Sequence, residues 1–171
     1  MTTLTLAQAN AMDPADFVAA FGGIAEHTPW VAARAAAARP FADRPAMVAA
    51  FQAAILEAGE GEQTALLAAH PDLAGRAAIA GDLTADSAGE QAGAGLDRLT
   101  PEEFARFTAL NDAYRARFGI PFIVAVRGAD RTAILAAFEN RVGGTPPEER
   151  LTAIAQVLRI VRFRLEDRVA G

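Results

Sequence analysis

Helix-start signals recur along this chain, and they restrict its possible folds more than any other feature. Four times a capping residue is followed directly by proline, at Asp13-Pro14, Thr28-Pro29, Thr100-Pro101 and Thr145-Pro146. A side-chain oxygen at the N-cap accepts a hydrogen bond from the first helical turn, and proline suits the first helical position. Between these signals, apolar residues return with the spacing of one helical face. The pattern predicts an all-α protein.

The predicted helices extend from these start signals to the glycines and prolines that end them. They cover residues 14–21, 29–39, 43–58, 63–69, 86–99, 101–118, 130–142 and 146–169, and residues 75–83 are predicted to be a connection. The stretch 120–126 is apolar, β-branched and interrupted by proline, which favours an extended segment too isolated to indicate a sheet. We therefore expect a single compact helical domain over residues 1–171, with about seven to nine helices.

Two residue types are absent from the chain and a third is scarce. There is no cysteine, which excludes thiol nucleophiles, thiolate metal sites and disulfides. There is no lysine, because all 16 basic side chains are arginine, so neither a substrate nor pyridoxal phosphate can be held as an imine. The 2 histidines are too few for a histidine-rich metal site. The composition therefore argues against thiolate and histidine-rich metal sites and against a lysine-bound cofactor, and it leaves open a carboxylate-only site for a hard cation.

Charge and hydropathy limit the partners that we expect. A net charge of −5 argues against a nucleic-acid binder, since such proteins usually carry a basic face. No apolar run approaches the roughly 20 residues that a helix needs to cross a bilayer. The first residues also lack the basic and then apolar pattern of a secretory leader. We expect a cytoplasmic protein that binds neither nucleic acid nor membrane.

His70 is the first candidate for chemistry. It follows a predicted helix and precedes Pro71, which disfavours the helical conformation for the residue before it. Its backbone would be fixed while its ring points into a cleft. Histidine titrates near neutral pH and is the common general acid or base. A structural role at the helix end is the competing interpretation, and it is the favoured one for an arbitrary lone histidine.

Two further candidates, the pair Ser87 and Glu90 and the single residue Arg164, also have both a structural and a functional interpretation. Ser87 and Glu90 lie three residues apart and share one helix face. A serine followed three residues later by glutamate is equally typical of a capping box, so local sequence does not decide between the two. Arg164 lies in the last predicted helix near Arg162, where the simple interpretation of either arginine is a solvated basic face.

The order of three motifs decides between these interpretations. They are His70-Pro71-Asp72-Leu73, Ser87-x-x-Glu90-Gln91 and Leu110-Asn111-x-x-Tyr114-x-x-x-Phe118-Gly119-Ile120-Pro121-Phe122-Ile123. Together they resemble the family of 2-oxo-4-hydroxy-4-carboxy-5-ureidoimidazoline (OHCU) decarboxylases, which form allantoin late in urate degradation. Segments beginning at Glu26 and Ile160 are also similar to this family, so the resemblance covers residues 10–169.

The resemblance implies roles for particular side chains. The catalytic residues that it implies are His70, its partner Glu90, and Arg164, with Arg162 as the competing alignment. The substrate-binding residues that it implies are Pro71, Ser87, Gln91, Phe122, Ile123 and Val126. It also implies a homodimer with no metal.

The reaction implied by the resemblance is a cofactor-free decarboxylation of OHCU, a small anionic ureidoimidazoline, to (S)-allantoin and carbon dioxide. The ring C=N bond of this substrate can accept electrons, which is consistent with the absence of imine-forming and metal-binding side chains. Two alternatives stay open. One is a non-catalytic helical interaction module on the same fold, and the other is a cofactor-free enzyme acting on a related ureido compound. Whether His70 or Glu90 protonates the product is open as well.

Overall fold

The computed structural model describes residues 3–75 and 81–171, and the regular structure within them is helical. These ranges contain the helices α1 (Leu6–Ala11), α2 (Pro14–Phe21), α3 (Trp30–Ala36), α4 (Arg44–Leu56), α5 (Glu60–Ala68), α6 (Ala85–Gly93), α7 (Pro101–Phe118), α8 (Arg131–Arg141) and α9 (Pro146–Arg168). The described residues form no β-strand, and Leu4 and Val169 make one isolated parallel bridge. The predicted all-α class is confirmed.

Side-chain caps begin several helices where the sequence predicts them. Asp13, Asp43, Thr100 and Asp130 each accept hydrogen bonds from backbone N–H groups of the first helical turn. α7 ends at Gly119, whose φ of 71° lies in the left-handed region that glycine adopts most readily. Local sequence therefore determines these boundaries.

Two helices near the N-terminus begin differently from the prediction. The sequence predictions omit α1, which Thr5 and Gln8 begin with a reciprocal capping box. α5 begins at Glu60 and not at residue 63, because the Glu62 carboxylate accepts a hydrogen bond at 3.2 Å from the backbone N–H of Gly59. In both helices the capping signal is a side chain that reaches back over the first turn.

α6 ends at Gly93, six residues before the predicted end at residue 99. Gly95 adopts a left-handed φ of 77°, and the Leu96 N–H donates to the Gln91 carbonyl at 3.0 Å. This pattern ends a helix, and each glycine within it weakens the helix by about 1 kcal/mol. The connection predicted over 75–83 lies in part outside the described residues, at 76–80. Residues 121–126 are neither helix nor strand, as expected.

The chain folds as two compact units. Unit 1 contains Met1–Ala69 and Val157–Gly171, and unit 2 contains His70–Gln156, so the boundary falls within α9. Four phenylalanines form an aromatic cluster in unit 1, with ring centroids 4.7 to 6.4 Å apart in the contacting pairs; they are Phe17, Phe21, Phe41 and Phe51. The single domain expected over residues 1–171 stays a prediction.

Unit 2 has a second aromatic cluster. Tyr114 of α7 contacts Phe122 and Phe138 edge-on, and the last two rings stack with centroids 3.9 Å apart. Phe107 also packs on Phe138. Among the described residues, no helix is long and apolar enough to cross a membrane.

Candidate active site

His70 is the first residue of unit 2 and lies just beyond α5. Ala69 is the C-cap of that helix, and Pro71 prevents the helix from continuing because it has no N–H group to donate. His70 is only 5% exposed. A ring shielded in this way from bulk water suits a directed proton transfer.

Two hydrogen bonds fix the loop that follows His70. The backbone N–H of Ala74 donates to Gln91 Oε1 at 2.9 Å, and the Leu73 carbonyl accepts from Asn111 Nδ2 at 2.9 Å. Ala74 has a φ of 50°, a left-handed conformation that costs an alanine about 1–2 kcal/mol. Such a conformation persists only where surrounding groups impose it. The side chains from α6 and α7 supply that constraint.

Asp72, in the same loop, is held by an ion pair. Nε of Arg115, on α7, donates to the two carboxylate oxygens of Asp72 at 2.9 and 3.1 Å. The two side chains are 25% and 44% exposed for Asp72 and Arg115, so the pair contributes at most about 1 kcal/mol to stability. Three successive residues after Pro71 therefore each have a side-chain partner.

The start of α6 decides between the two interpretations of Ser87 and Glu90. Thr84 is the N-cap, and its hydroxyl oxygen accepts a hydrogen bond from the Ser87 N–H at 3.3 Å. Ser87 and Glu90 thus both lie inside the helix, and the capping-box interpretation is wrong. Ser87 and Gln91, one turn apart, are each 5% exposed, and Glu90 is half-buried.

Within unit 2, the structure joins the His70 loop to the helix that carries Glu90. The junction is the hydrogen bond between Ala74 and Gln91, the residue directly after Glu90. The His70 loop and the helix that carries Glu90, the two residues for which the resemblance implies a catalytic role, are therefore joined by a hydrogen bond.

Phe122, Ile123 and Val126 are all buried. The Phe122 ring stacks on Phe138, so this side chain belongs to the core. A substrate contact from Phe122 would therefore come from its backbone.

That backbone is held by two polar side chains. Nη1 of Arg141 donates to the Ile123 carbonyl at 2.7 Å, and the Ala125 N–H donates to Gln156 Oε1 at 3.1 Å. Because Arg141 and Gln156 come from two different helices, α8 and α9, the segment has a fixed course without belonging to a sheet.

A buried polar network lies behind Arg141. Glu149 accepts hydrogen bonds from the Tyr114 hydroxyl and from Nε of Arg141, the latter at 2.8 Å. Burial raises the pKa of the Tyr114 hydroxyl far above its ordinary value, and the hydrogen bond to the Glu149 carboxylate raises it further. Tyr114 therefore stays a neutral donor above the pH at which a free tyrosine ionises.

Arg164 belongs to unit 1. Its Nη2 lies 2.7 Å from Glu26 Oε1, with side chains 3% and 1% exposed, and its Nη1 donates to the Ile24 carbonyl at 3.3 Å. Glu26 has a left-handed φ of 55°, which is uncommon for a residue with a side chain. The two charges form a buried ion pair.

Arg162, the competing arginine, has a different environment. Its Nε lies 3.9 Å from Glu166 Oε1, four residues further along α9, and the two side chains are 49% and 36% exposed. The solvated-face interpretation therefore applies to Arg162 and is wrong for Arg164.

Comparison with known proteins places the chain in a family. The OHCU decarboxylase family model matches residues 10–166. A 2-oxo-4-hydroxy-4-carboxy-5-ureidoimidazoline decarboxylase of Haloferax volcanii is 43% identical over 100% of this chain and 99% of its own. The chain belongs to the OHCU decarboxylase family.

Two more relatives agree with this family membership. The enzyme of the same name from Halalkalicoccus jeotgali is 40% identical over 98% of this chain and 93% of its own. The crystal structure of an (S)-allantoin synthase matches with a TM-score of 0.78 at 30% identity, over 97% of this chain and 54% of that longer chain.

No group of three or more histidine, cysteine, aspartate or glutamate side chains that could hold a metal ion occurs in the part of the chain that the structure describes. The polar side chains of this family member are instead arranged as ion pairs and amide hydrogen bonds. These groups can bind an anion, orient a carbonyl and move a proton.

The sequence analysis assigned no role to several residues that build these OHCU decarboxylase segments. They are Glu26, Asp72, Asn111, Arg115, Arg141, Glu149 and Gln156. Asn111 lies within a motif that carries the family resemblance, and that is the only signal that could have indicated it. Asp72 and Glu26 also lie in segments that resemble the family, but no local pattern indicates their partners, which follow from the fold.

Proposed function

We propose that this chain is a carbon–carbon lyase that decarboxylates OHCU to (S)-allantoin and carbon dioxide in urate catabolism. The observation that carries the proposal is full-length similarity to OHCU decarboxylases, at 43% and 40% identity. The buried His70, on a loop tied to the Glu90 helix, supports it with a chemically suitable arrangement.

The reaction needs little beyond the substrate itself. The bond between the ring carbon and its carboxylate breaks, its electron pair moves towards the neighbouring C=N bond, and carbon dioxide leaves. The ring nitrogen takes up one proton. The resulting enol becomes a ring carbonyl when its hydroxyl loses a proton and the adjacent carbon gains one. Placement of that last proton on one face sets the (S) configuration.

His70 and Glu90 move these protons in the proposed mechanism. His70 takes the proton of the substrate hydroxyl or ring, and Glu90 orients His70 or exchanges a proton itself. The His70 side chain is buried and Glu90 is half-buried, and the hydrogen bond between Ala74 and Gln91 links the two parts of the chain that carry them.

Arg164 binds the anionic substrate in this proposal. A guanidinium group carries five N–H donors in a plane, and this planar arrangement suits it to the oxygens of an anionic substrate. Pro71, Ser87 and Gln91 shape the pocket, together with the backbone of Phe122, Ile123 and Val126. The buried state of Ser87 and Gln91 on one face of α6 supports their inclusion.

The enzyme works without metal or organic cofactor in this proposal, as a homodimer in the cytoplasm. The lack of lysine and cysteine in the chain supports the cofactor-free chemistry. Purified protein should keep its activity after exhaustive treatment with EDTA, and activity that returns only on adding a divalent metal would contradict this. Sedimentation equilibrium should give twice the mass of one chain. A measured mass equal to that of one chain would contradict the proposed homodimer.

The direct test of function is a coupled assay that starts from urate freshly oxidised by urate oxidase and hydrolysed to OHCU. The chain should accelerate allantoin formation and give the (S) enantiomer, measured by circular dichroism of the product. Allantoin that forms at the spontaneous rate and as a racemate would reject the decarboxylase and favour the non-catalytic module.

A further inference from the structure

We propose that Asn111 is a positioning residue of the reaction, which acts through the loop that carries His70. Together with Gln91 and Arg115 it forms a brace, defined as the three side chains that bind residues 72–74. The inference rests on the proposed function, because it assigns a task to the brace only if His70 is catalytic.

The brace reaches three consecutive residues from two helices. Asn111 and Arg115 are one turn apart on α7, so they share a face and bind Leu73 and Asp72 from the same side. Gln91 of α6 binds the third residue. A loop held at each of three successive residues has little freedom to shift, and His70 lies only two residues before the first.

The chemistry of the partners settles the orientation of both amides. The backbone N–H of Ala74 can only donate, so the Gln91 atom facing it at 2.9 Å is the oxygen. The Leu73 carbonyl can only accept, so the Asn111 atom facing it at 2.9 Å is the nitrogen. Neither contact survives exchange of the amide O and N atoms.

The other end of the Asn111 amide argues against a role in stability alone. Its Oδ1 is buried and has no hydrogen-bond partner among the residues that the structure describes. A buried acceptor without a partner costs free energy. Asn111 therefore makes one hydrogen bond and leaves its second polar group without one. This arrangement contributes little to stability, but it still holds the Leu73 carbonyl in place.

The test uses Asn111→Ala, which removes the donor and adds no bulk. We expect kcat to fall by up to about 10²-fold with KM changed only a few-fold, since a displacement near 1 Å in a reacting group can cost that much. The NMR ring signals of His70 should shift as well. They are easy to assign because the chain has 2 histidines, and His27, the other, is exposed.

A second variant keeps the proposal testable if Asn111→Ala does not fold. Arg115→Ala removes the half-exposed partner of Asp72 and should fold normally. It should move the His70 signals and lower kcat to a smaller extent, and Arg115→Lys should restore part of the loss. The matched control is Arg117→Ala on the same helix, because Arg117 donates to the Gly144 carbonyl at 2.8 Å and not to the loop.

Two results would contradict the proposal that the brace positions His70. One is Asn111→Ala with a lower melting temperature but unchanged His70 signals and unchanged kcat per folded molecule. The other is an effect of Arg117→Ala on the His70 signals equal to that of Arg115→Ala. If the wild-type chain does not decarboxylate OHCU, the proposed function fails by itself, and the His70 signals still show whether the brace positions the ring.

Discussion

The His70 loop in unit 2 and the Arg164–Glu26 pair in unit 1 hold their key side chains by different means. The loop is held by two neutral amide hydrogen bonds and a half-exposed ion pair. Arg164 instead faces a full opposite charge, with both side chains almost completely buried.

These two kinds of contact differ in how much stability is lost when one partner is removed. Neutral hydrogen bonds contribute about 0.5–1.5 kcal/mol each, so the loss of one is tolerable. Removing one partner of a buried ion pair leaves a charge in a medium of low dielectric, which costs far more. We therefore expect changes around His70 to act on turnover, and changes around Arg164 to act on stability first.

Substitution of His70 and Glu90, the proposed catalytic pair, should give the largest effect on turnover. Glu90→Gln keeps size and polarity, and should lower turnover by about 10²–10⁴-fold with a nearly unchanged melting temperature. Adding His70→Asn should make the enzyme barely worse than the worse single variant, because groups that act as one unit are not additive. Steady-state kinetics on the two single variants and the double variant measure this. Additive losses of turnover would show that His70 and Glu90 act independently of each other.

The buried ion pair should give the largest change in stability. Glu26→Gln removes the carboxylate that faces Arg164, and should lower the free energy of unfolding by about 3–5 kcal/mol. Urea unfolding followed by circular dichroism gives the value. A loss below about 1 kcal/mol is the size seen for exposed ion pairs. Such a result would contradict the claim that the Arg164–Glu26 pair matters more for stability than the contacts of the His70 loop.

Tyr114 tests the polar network behind residues 122–126. Its pKa is raised in the folded protein, so its contribution to stability is complete below its ordinary value of about 10 and is lost as the pH rises above that value. Because the chain has 1 tyrosine, the tyrosinate absorbance should appear only as the protein unfolds in alkali. Tyrosinate formation near pH 10 in a folded chain would contradict the network. Tyr114→Phe should cost about 1.5–3 kcal/mol, because it removes a hydrogen bond to a charged acceptor, the Glu149 Oε1 atom, which keeps Arg141 as its other donor.

The exposed pair on α9 should give the smallest effect and serves as the matched control for Glu26. Glu166→Gln removes the carboxylate that faces Arg162 at 3.9 Å, and should change the free energy of unfolding by about 0.5 kcal/mol or less. Turnover should stay at the wild-type level. A large effect on turnover would favour Arg162 as the substrate arginine in place of Arg164.

Local signals in the sequence predict most of the fold. The caps at Asp13, Asp43 and Thr100 begin helices where the sequence places them, because a cap depends only on neighbouring residues. The boundaries that differ involve weaker local signals, such as the Thr5 capping box and the glycines after α6.

In the candidate site, too, some residues can be predicted from local sequence and others only from the fold. Motifs predict His70 and Glu90. Asn111, in contrast, binds Leu73, 38 positions away, and Glu26 binds Arg164, 138 positions away. No local pattern indicates contacts over such separations. Whether Ser87 caps α6 also depended on the position of Thr84, which only the structure shows.

The most direct test of the account is turnover of folded His70→Asn with OHCU under single-turnover conditions, measured beside its melting temperature. A catalytic His70 predicts a rate about 10²–10⁴-fold lower than wild type with a nearly unchanged melting temperature. A rate within a few-fold of wild type, or a large fall in melting temperature with normal turnover in the folded fraction, would show that His70 is structural.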